Sequence, residues 1–222
     1  MTSKHLLTAS ASPPELMLFD LDGVLFDSLP VMRSAWETLQ AEHGIQVPFE
    51  SYARHLGRPF ADILTLLGLG NDAERLVETY NSAATRFAHL ARPFTGVDEA
   101  LRDITAAGCR LGVVTSKSSA RAVTMLNRLD SPFSVLRTPD HGRGKPSPDT
   151  LLLALVDTRT DPGNALYVGD MAVDQEAACR AGVRYVHAGW GYGSPTEPLP
   201  YLLNKPAELV GLVRREREAG SA

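Results

Sequence analysis

The length, composition and charge of the chain exclude several classes of protein. The 222 residues are 44% hydrophobic, which is enough to bury a sizeable core, so the composition favours a folded chain over a disordered one. The 22 basic and 26 acidic residues give a net charge of −4, and no predicted face gathers lysine and arginine as nucleic-acid binding requires. No stretch approaches the roughly 20 apolar residues of a membrane span, and residues 1–15 lack the apolar core of a signal peptide. We therefore predict a cytoplasmic protein with a short disordered lead over residues 1–15.

The first predicted elements are one strand and a block of helices. Residues 16–20 form an apolar strand, and a helix follows that begins near Ser28 as its N-cap and ends at Gly44. From there to about Arg92 every periodic segment is typical of a helix, and none is typical of a strand. Residues 28–92 are therefore predicted to be a helical domain inserted after the first strand.

Beyond residue 93, helices and short strands alternate. Because the strands are almost entirely apolar, they are predicted to form a parallel sheet covered on both faces. The fold class is thus α/β, with a core built from residues 16–27 and 93–222. Residues 194–218 are predicted to form a proline-rich connection and a last helix, with "RREREAG" as its solvated end.

The two cysteines are consistent with a reducing compartment. Cys109 and Cys179 lie far apart, in segments that have the pattern of buried elements. A free cysteine behaves as a small apolar side chain, so both are expected in the core rather than in a disulfide.

Polar side chains collect where the predicted strands end, which is where open parallel sheets bind ligands. Four sets of residues are expected to converge there: Asp20 with Asp22 and Gly23, Thr115 with Ser116, Lys145, and Asp170 with Asp174. Taken singly, each has an ordinary explanation as a turn, a strand end, a solvated lysine or a helix cap. Their occurrence together at the ends of the right elements favours a functional site.

The crowding of Asp20 and Asp22 predicts a cation. Two carboxylates about 4 Å apart repel each other by about 4 kcal/mol at an effective dielectric constant near 20. Oxygen ligands favour Mg²⁺, with Asp20 and Asp170 as side-chain ligands and the backbone carbonyl of Asp22 as a further one. A calcium loop is excluded, since Val24, Leu25 and Val31 stand at its fifth, sixth and twelfth positions.

A phosphate held at this site could be attacked by one carboxylate while another moves the proton. We assign Asp20 as the nucleophile and Asp22 as the general acid and base. Lys145 would neutralise the anions, and Thr115 would donate a hydrogen bond to a phosphoryl oxygen. Asp174 would steady the metal's water ligands without binding the metal itself.

The four motifs resemble those of the haloacid dehalogenase superfamily of phosphohydrolases. In order they are "DLDGVLFDS", "VVTS", "GKPSPD" and "GDMAVD", and the resemblance extends from Leu16 to about Trp190. It implies a Rossmann-like core, a helical cap between the first and second motifs, and Mg²⁺-dependent phosphoryl transfer through an aspartyl phosphate, in the phosphoglycolate phosphatase-like branch. The resemblance implies the same roles for Asp20, Asp22, Thr115, Lys145 and Asp170. Met171 stands where many relatives carry serine.

Single residues separate the reactions of this superfamily. Asp22 favours a phosphate ester, because dehalogenases resemble this chain but lack the second aspartate. Phosphonate cleavage is disfavoured, because it needs a cap lysine and residues 28–92 contain none. A sugar phosphate mutase stays open, and so does a non-enzymatic sensor of phosphorylated metabolites.

Substrate choice is predicted to depend on residues 55–64, "HLGRPFADIL", which resemble the family's specificity loop. Gly57 would permit a close approach and Arg58 would contact the leaving group, with Thr115 and Ser116 also binding substrate. His55, His141 and Arg143 are expected to have surface or core roles. The cap segment is also similar to phosphatases associated with aminohydroxybenzoate and ansamycin biosynthesis. The predicted partner is a small phosphorylated metabolite, bound by a monomer or homodimer.

Overall fold

A computed structural model describes residues 14–195 and 201–220, with side chains up to residue 215. Most of the predicted lead and part of the predicted proline-rich connection lie outside these ranges. Within them, no helix combines the length and the apolar character needed to cross a membrane.

Six parallel strands form the main sheet, in the order β5-β4-β1-β6-β7-β8. Alternate residues of β1 enter different hydrophobic clusters, Met17 and Phe19 on one face and Leu16 and Leu18 on the other. The parallel sheet with two buried faces is therefore confirmed. The strands of the described residues are β1 (Leu16–Phe19), β2 (Phe26–Asp27), β3 (Arg92–Pro93), β4 (Arg110–Val114), β5 (Val135–Arg137), β6 (Ala165–Gly169), β7 (Arg184–Ala188) and β8 (Leu202–Leu203).

The helices agree with the periodic segments of the sequence. The first ends at Gly44, which adopts the left-handed conformation (φ 66°) typical of a helix terminus. Over the described residues the helices are α1 (Leu29–His43), α2 (Phe49–Ala53), α3 (Phe60–Leu66), α4 (Ala73–Arg86), α5 (Val97–Ala106), α6 (Ser119–Leu126), α7 (Asp149–Thr158), α8 (Ala172–Ala181) and α9 (Glu208–Gly220).

The helices α1 to α4 form an insert between β1 and β4, which pair side by side in the sheet. Strands β2 and β3 pair antiparallel where the chain enters and leaves this insert. Inside it, the Tyr52 ring stacks on Trp36 at 4.7 Å, and the Phe60 ring stacks on Tyr80 at 3.9 Å. This aromatic cluster gives the insert its own core, continuous with one face of the sheet.

One expectation from the sequence needs correction, and three short strands were missed. Cys109 is buried as predicted, but Cys179 is exposed, because α8 turns its other side toward the sheet. No disulfide joins the two cysteines. Strands β2, β3 and β8 were not predicted, because a strand of two residues is too short to show a period.

Candidate active site

The predicted site residues meet at one edge of the sheet. Phe19 of β1 is in register with Val113 of β4 and Val168 of β6, so the residues after these strands lie at the same edge. Asp20 follows β1 and Asp170 follows β6. Carboxylate oxygens of Asp20, Asp170 and Asp174, all buried, lie within 4.8 Å of one another. The convergence predicted for these three side chains is therefore observed.

Lys145 lies inside this carboxylate cluster. Its Nζ is 3.0 Å from Asp20 Oδ1 and 2.6 Å from Asp174 Oδ1, and it donates to the Tyr167 hydroxyl at 3.1 Å. The side chain is only 1% exposed. Burial by itself lowers the pKa of Lys145, but the charges of Asp174 and Asp20 outweigh it and raise the pKa above its usual value. Lys145 is thus a buried, permanent cation.

Asp174 holds the turn after β6 and positions Lys145. Its Oδ2 accepts the backbone N–H groups of Met171 at 2.9 Å and Asp170 at 3.3 Å. Its Oδ1 accepts from Lys145 and from the Tyr167 hydroxyl at 3.0 Å. Both oxygens of Asp174 therefore accept hydrogen bonds from the protein, which tie the turn after β6 to Lys145. Met171 contributes its backbone N–H to this turn. A methionine in place of the serine that many relatives carry therefore does not disturb the turn.

The two carboxylate oxygens of Asp170 differ in their hydrogen bonding. Oδ2 accepts the backbone N–H of Tyr192 at 2.7 Å, whereas Oδ1 is buried without a hydrogen-bond partner among the described residues. The surrounding backbone is close: a Cβ on Gly23 would lie 2.3 Å from Asp170 Oδ2, and one on Gly191 would lie 2.4 Å from Asp170 Cβ. Gly23 also has a φ of +83°, which explains the glycine after the two aspartates.

The donor set of this cluster fits a divalent cation. The pKa of Asp20 is raised to about 7, because burial, together with the charges of Asp174 and Asp22, outweighs the opposing charge of Lys145. Burial also raises the pKa of Asp170 well above its usual value. Lys145 alone does not offset three buried carboxylates. Oxygen-only donors and an unsatisfied carboxylate oxygen are what Mg²⁺ requires, so Asp20 and Asp170 could hold it.

Asp22 lies apart from this cluster and faces a cavity. Its Oδ2 is 3.1 Å from Lys117 Nζ, and its Oδ1 accepts a hydrogen bond from the Ser28 hydroxyl. Ser28 occupies the predicted N-cap position of α1, but its side chain makes no capping bond and binds Asp22 instead. The sequence reasoning missed Lys117, although its place two residues after Thr115 at the end of β4 was a usable signal.

Thr115 and Ser116 line the same cavity and connect the sheet to the insert. Thr115 Oγ1 accepts the N–H of Lys117 at 3.2 Å, and the Ser116 hydroxyl donates to the Gly57 carbonyl at 2.5 Å. Gly57 has a φ of +87°, and a Cβ there would lie 2.6 Å from Val173 Cγ2. Gly57 does permit a close approach of the backbone, as predicted, and the element that it approaches is α8.

The cavity has a volume of about 380 Å³ and lies between the sheet edge and the insert. Arg58 lines it as predicted, whereas His55, His141 and Arg143 do not. Arg143 is exposed and pairs with Asp149 at 2.8 Å. Phe60, within the predicted specificity segment, also lines the cavity. Lining side chains that the sequence did not predict include Tyr52, Tyr80, Asn81, Lys117, Arg121 and Tyr192.

Comparison with known proteins agrees with this geometry. The family model described as haloacid dehalogenase-like hydrolase matches residues 17–188. The chain belongs to this family. The haloacid dehalogenase-like resemblance of the motifs and the α/β fold predicted from the alternation of helices and strands are thus confirmed.

Individual members of the family show how far the likeness extends. The N-acetylmuramic acid 6-phosphate phosphatase of Pseudomonas aeruginosa is 31% identical over 213 residues, which cover 90% of this chain and 94% of the relative. The tyrosine-protein kinase PtkA of Mycobacterium tuberculosis is 34% identical over 186 residues, which cover 81% of this chain but only 64% of PtkA. A solved hydrolase of Pseudomonas syringae superposes with a TM-score of 0.81 at 25% identity, over 91% of this chain and 99% of its own.

Proposed function

We propose that the chain is a Mg²⁺-dependent phosphatase that hydrolyses a small phosphorylated metabolite through an aspartyl phosphate on Asp20. One observation carries the proposal: Asp20 belongs both to the buried cluster with Lys145 and Asp170 and to the wall of the cavity. A phosphate in the cavity would therefore meet a carboxylate that a cation supports. Family membership and the similarity to the phosphatase from Pseudomonas aeruginosa support the same function.

The side chains of Asp20 and Asp170 would hold the metal, with the backbone carbonyl of Asp22 as a third protein ligand. When bound, Mg²⁺ supplies positive charge that offsets the negative charge of the phosphoryl oxygens. Lys145 adds a second, permanent positive charge next to Asp20. The Thr115 hydroxyl would donate to a phosphoryl oxygen from the end of β4.

Two half-reactions follow from this arrangement. The Asp20 carboxylate attacks phosphorus, the bond from phosphorus to the ester oxygen breaks, and Asp22 gives its proton to the departing alcohol. Asp22 then takes a proton from the water that attacks the aspartyl phosphate, which releases inorganic phosphate and restores Asp20. Asp22 suits this role because it lines the cavity outside the carboxylate cluster.

Residues 28–92 would act as the cap of this site, over a core of residues 16–27 and 93–222. The contact of Ser116 with the Gly57 carbonyl places Arg58 over the cavity. The short β2–β3 ladder is the natural place for the cap to move, because only two residue pairs form it.

Phosphate release from p-nitrophenyl phosphate tests the proposal, measured with Mg²⁺ and with a chelator. The wild type should release phosphate only with Mg²⁺, and Asp20→Asn should release none while keeping the fold. Asp149→Asn is the matched control, because Asp149 pairs with exposed Arg143 away from the cavity. Turnover by Asp20→Asn, or equal release with a chelator, would overturn the proposal.

A second candidate function is transfer of phosphate to a protein tyrosine, since PtkA is 34% identical to this chain. Asp22 could accept the proton of a tyrosine hydroxyl as readily as that of water. Incubation with ATP and a tyrosine-containing protein separates the two functions. Phosphotyrosine formation that Asp22→Asn abolishes would favour the kinase, and its absence alongside phosphate release would favour the phosphatase.

A further inference from the structure

The far wall of the cavity is a rigid aromatic surface. Tyr52, Phe60 and Tyr80 all line it, and Tyr52 meets Phe60 edge to face at 5.9 Å. The Tyr52 and Tyr80 hydroxyls lie 2.8 Å apart, and one donates to the other. Such a wall offers large apolar area at a small entropic cost, because the rings are already packed against one another. A flat, apolar leaving group would fit it better than a short polar chain.

The hydroxyl pair leaves one hydrogen for the ligand. Burial raises the pKa of Tyr80 to about 12 and raises that of Tyr52 well above its usual value, so both rings stay neutral. Only one of the two hydroxyl hydrogens is used between them, and neither hydroxyl bonds to another described residue. The second hydrogen is therefore available to an acceptor in the cavity.

Most charged side chains around the cavity already have partners. Asp20 pairs with Lys145, and Asp22 pairs with Lys117. Asp140 accepts the N–H of Ser119 at 3.0 Å and the hydroxyl of Thr138 at 3.1 Å. After these pairs are counted, two cations remain at the cavity without an acidic partner among the described residues: Arg58 and Arg121.

Arg121 is the arginine that faces the aromatic wall. It lies in the first turn of α6, its Nη1 donates to Asn81 Oδ1 at 3.3 Å, and its guanidinium carbon is 5.9 Å from the centre of the Tyr80 ring. It is half-buried, so its charge is only partly solvated. A guanidinium held in this way, with donors to spare, suits a carboxylate or a second phosphate on the ligand.

The volume of the cavity agrees with a ligand of this kind. Cavities of about 300–1,000 Å³ hold ligands of drug-like size. A cavity of about 380 Å³ therefore accommodates a ring as well as the phosphate, whereas a two-carbon acid would leave the aromatic wall uncovered.

We propose that the site selects phosphate esters of a flat, apolar alcohol or phenol that carries a second acidic group, and that Arg121 binds this acidic group. The inference rests on the proposed phosphatase function and specifies its substrate class. The aromatic wall recognises the ring, and the guanidinium recognises the charge.

The experiment uses two esters that differ in one group, phenyl phosphate and 3-carboxyphenyl phosphate, with phosphoglycolate as the acid that lacks a ring. The kcat/KM values are measured for the wild type, Arg121→Met, Arg121→Lys and Arg58→Met. Arg121→Met keeps the apolar stem and removes the guanidinium. The effect of the carboxylate is the ratio of the kcat/KM values for the two phenyl esters. Comparing this ratio between variants cancels any difference in leaving-group strength between the esters.

The wild type should prefer the carboxylated ester, and Arg121→Met should lower that preference by about 10- to 100-fold, as expected for a charge-assisted hydrogen bond. The loss of activity on phenyl phosphate should be smaller than the loss on the carboxylated ester, and Arg121→Lys should keep part of the preference, since an ammonium still attracts a carboxylate. Phosphoglycolate should be at least about 10-fold poorer than the carboxylated ester.

Each other outcome overturns a defined part of the inference. Equal losses on both phenyl esters in Arg121→Met would assign Arg121 to the transferred phosphoryl group. Loss of the preference only in Arg58→Met would transfer the role to Arg58. A better rate on phosphoglycolate would remove the aromatic wall from recognition. Turnover of both phenyl esters without preference would refute the inference alone, whereas no phosphate release from any ester would refute the proposed function as well.

Discussion

The ammonium group of Lys117 lies 3.1 Å from Asp22 Oδ2, and the Ser28 hydroxyl donates to the other oxygen of the same carboxylate. Lys117 comes from the end of β4 and Ser28 from the start of α1, so the sheet and the insert both hold Asp22. The proposed acid and base is thereby separated from the carboxylates proposed to bind metal. The position of the proton donor thus depends on two residues that are not themselves proposed to react.

Lys117→Met should lower kcat on an alkyl phosphate by about 10- to 100-fold, because Asp22 loses the cation that orients it. Steady-state phosphate release measures the effect. Lys205→Met makes the same substitution at an exposed lysine and should leave kcat unchanged. Full activity of Lys117→Met on the alkyl ester would show that the ion pair does not position Asp22.

Asp22→Asn should impair esters with poor leaving groups far more than esters with good ones. An alkoxide needs a proton as it departs, whereas p-nitrophenolate leaves without one. General acid catalysis contributes about 10²- to 10⁴-fold, so the alkyl ester should lose activity in that range. Single-turnover experiments measure the rate of the first step, in which phosphate is transferred to Asp20. Equal losses in this rate for both esters would contradict the acid role.

Gly57→Ala should destabilise the protein and lower kcat/KM, because a Cβ at this position would lie 2.6 Å from Val173 Cγ2 and because φ is +87°. Gly68→Ala is the matched control, since Gly68 has a φ of +76° but no atom within 4 Å of the added Cβ. Both variants should lose about 1 kcal/mol to backbone strain. Only Gly57→Ala should lose more, measured by urea unfolding. Equal destabilisation of the two variants would mean that Val173 of α8 moves aside for the added Cβ without lowering the free energy of unfolding.

His187 should contribute stability at neutral pH that is lost as the pH falls. Burial lowers the pKa of this histidine, and the backbone of Gly193 and the charge of Asp174 only partly oppose the effect. The unfolded chain therefore binds the proton first, and folded stability declines once the pH falls through the ordinary histidine pKa of about 6.5. The contribution of one group cannot exceed about 1.4 kcal/mol per pH unit.

His187→Gln should make the slope of unfolding free energy against pH less positive between pH 7.5 and 5.5, because it removes this contribution. His89→Gln, at an exposed histidine, is the control and should leave the slope as it is. Urea unfolding at several pH values gives both slopes. Parallel slopes for the wild type and His187→Gln would exclude His187 as a source of acid sensitivity.

The arrangement of Asp20, Thr115 and Asp170 could be predicted from the sequence. Each follows a run of apolar residues, which is a local pattern that marks a buried strand. Parallel strands bring their carboxyl ends to one edge, so the convergence followed from the class of sheet. The site of Cys179 shows the limit of this reasoning, because a buried helix still has one side in solvent.

The tertiary structure alone decided which partners these side chains have. The contacts of Asp22 with Lys117 and Ser28, and of Arg121 with Asn81, join elements far apart in the chain. Such contacts depend on how the insert packs over the sheet. Periodicity and turn residues report the local backbone, because they arise from neighbouring residues, and they carry no information about which distant side chains meet. The convergence of the strand-end side chains could therefore be predicted from the sequence, whereas the lining of the cavity beside them could be described only from the tertiary structure.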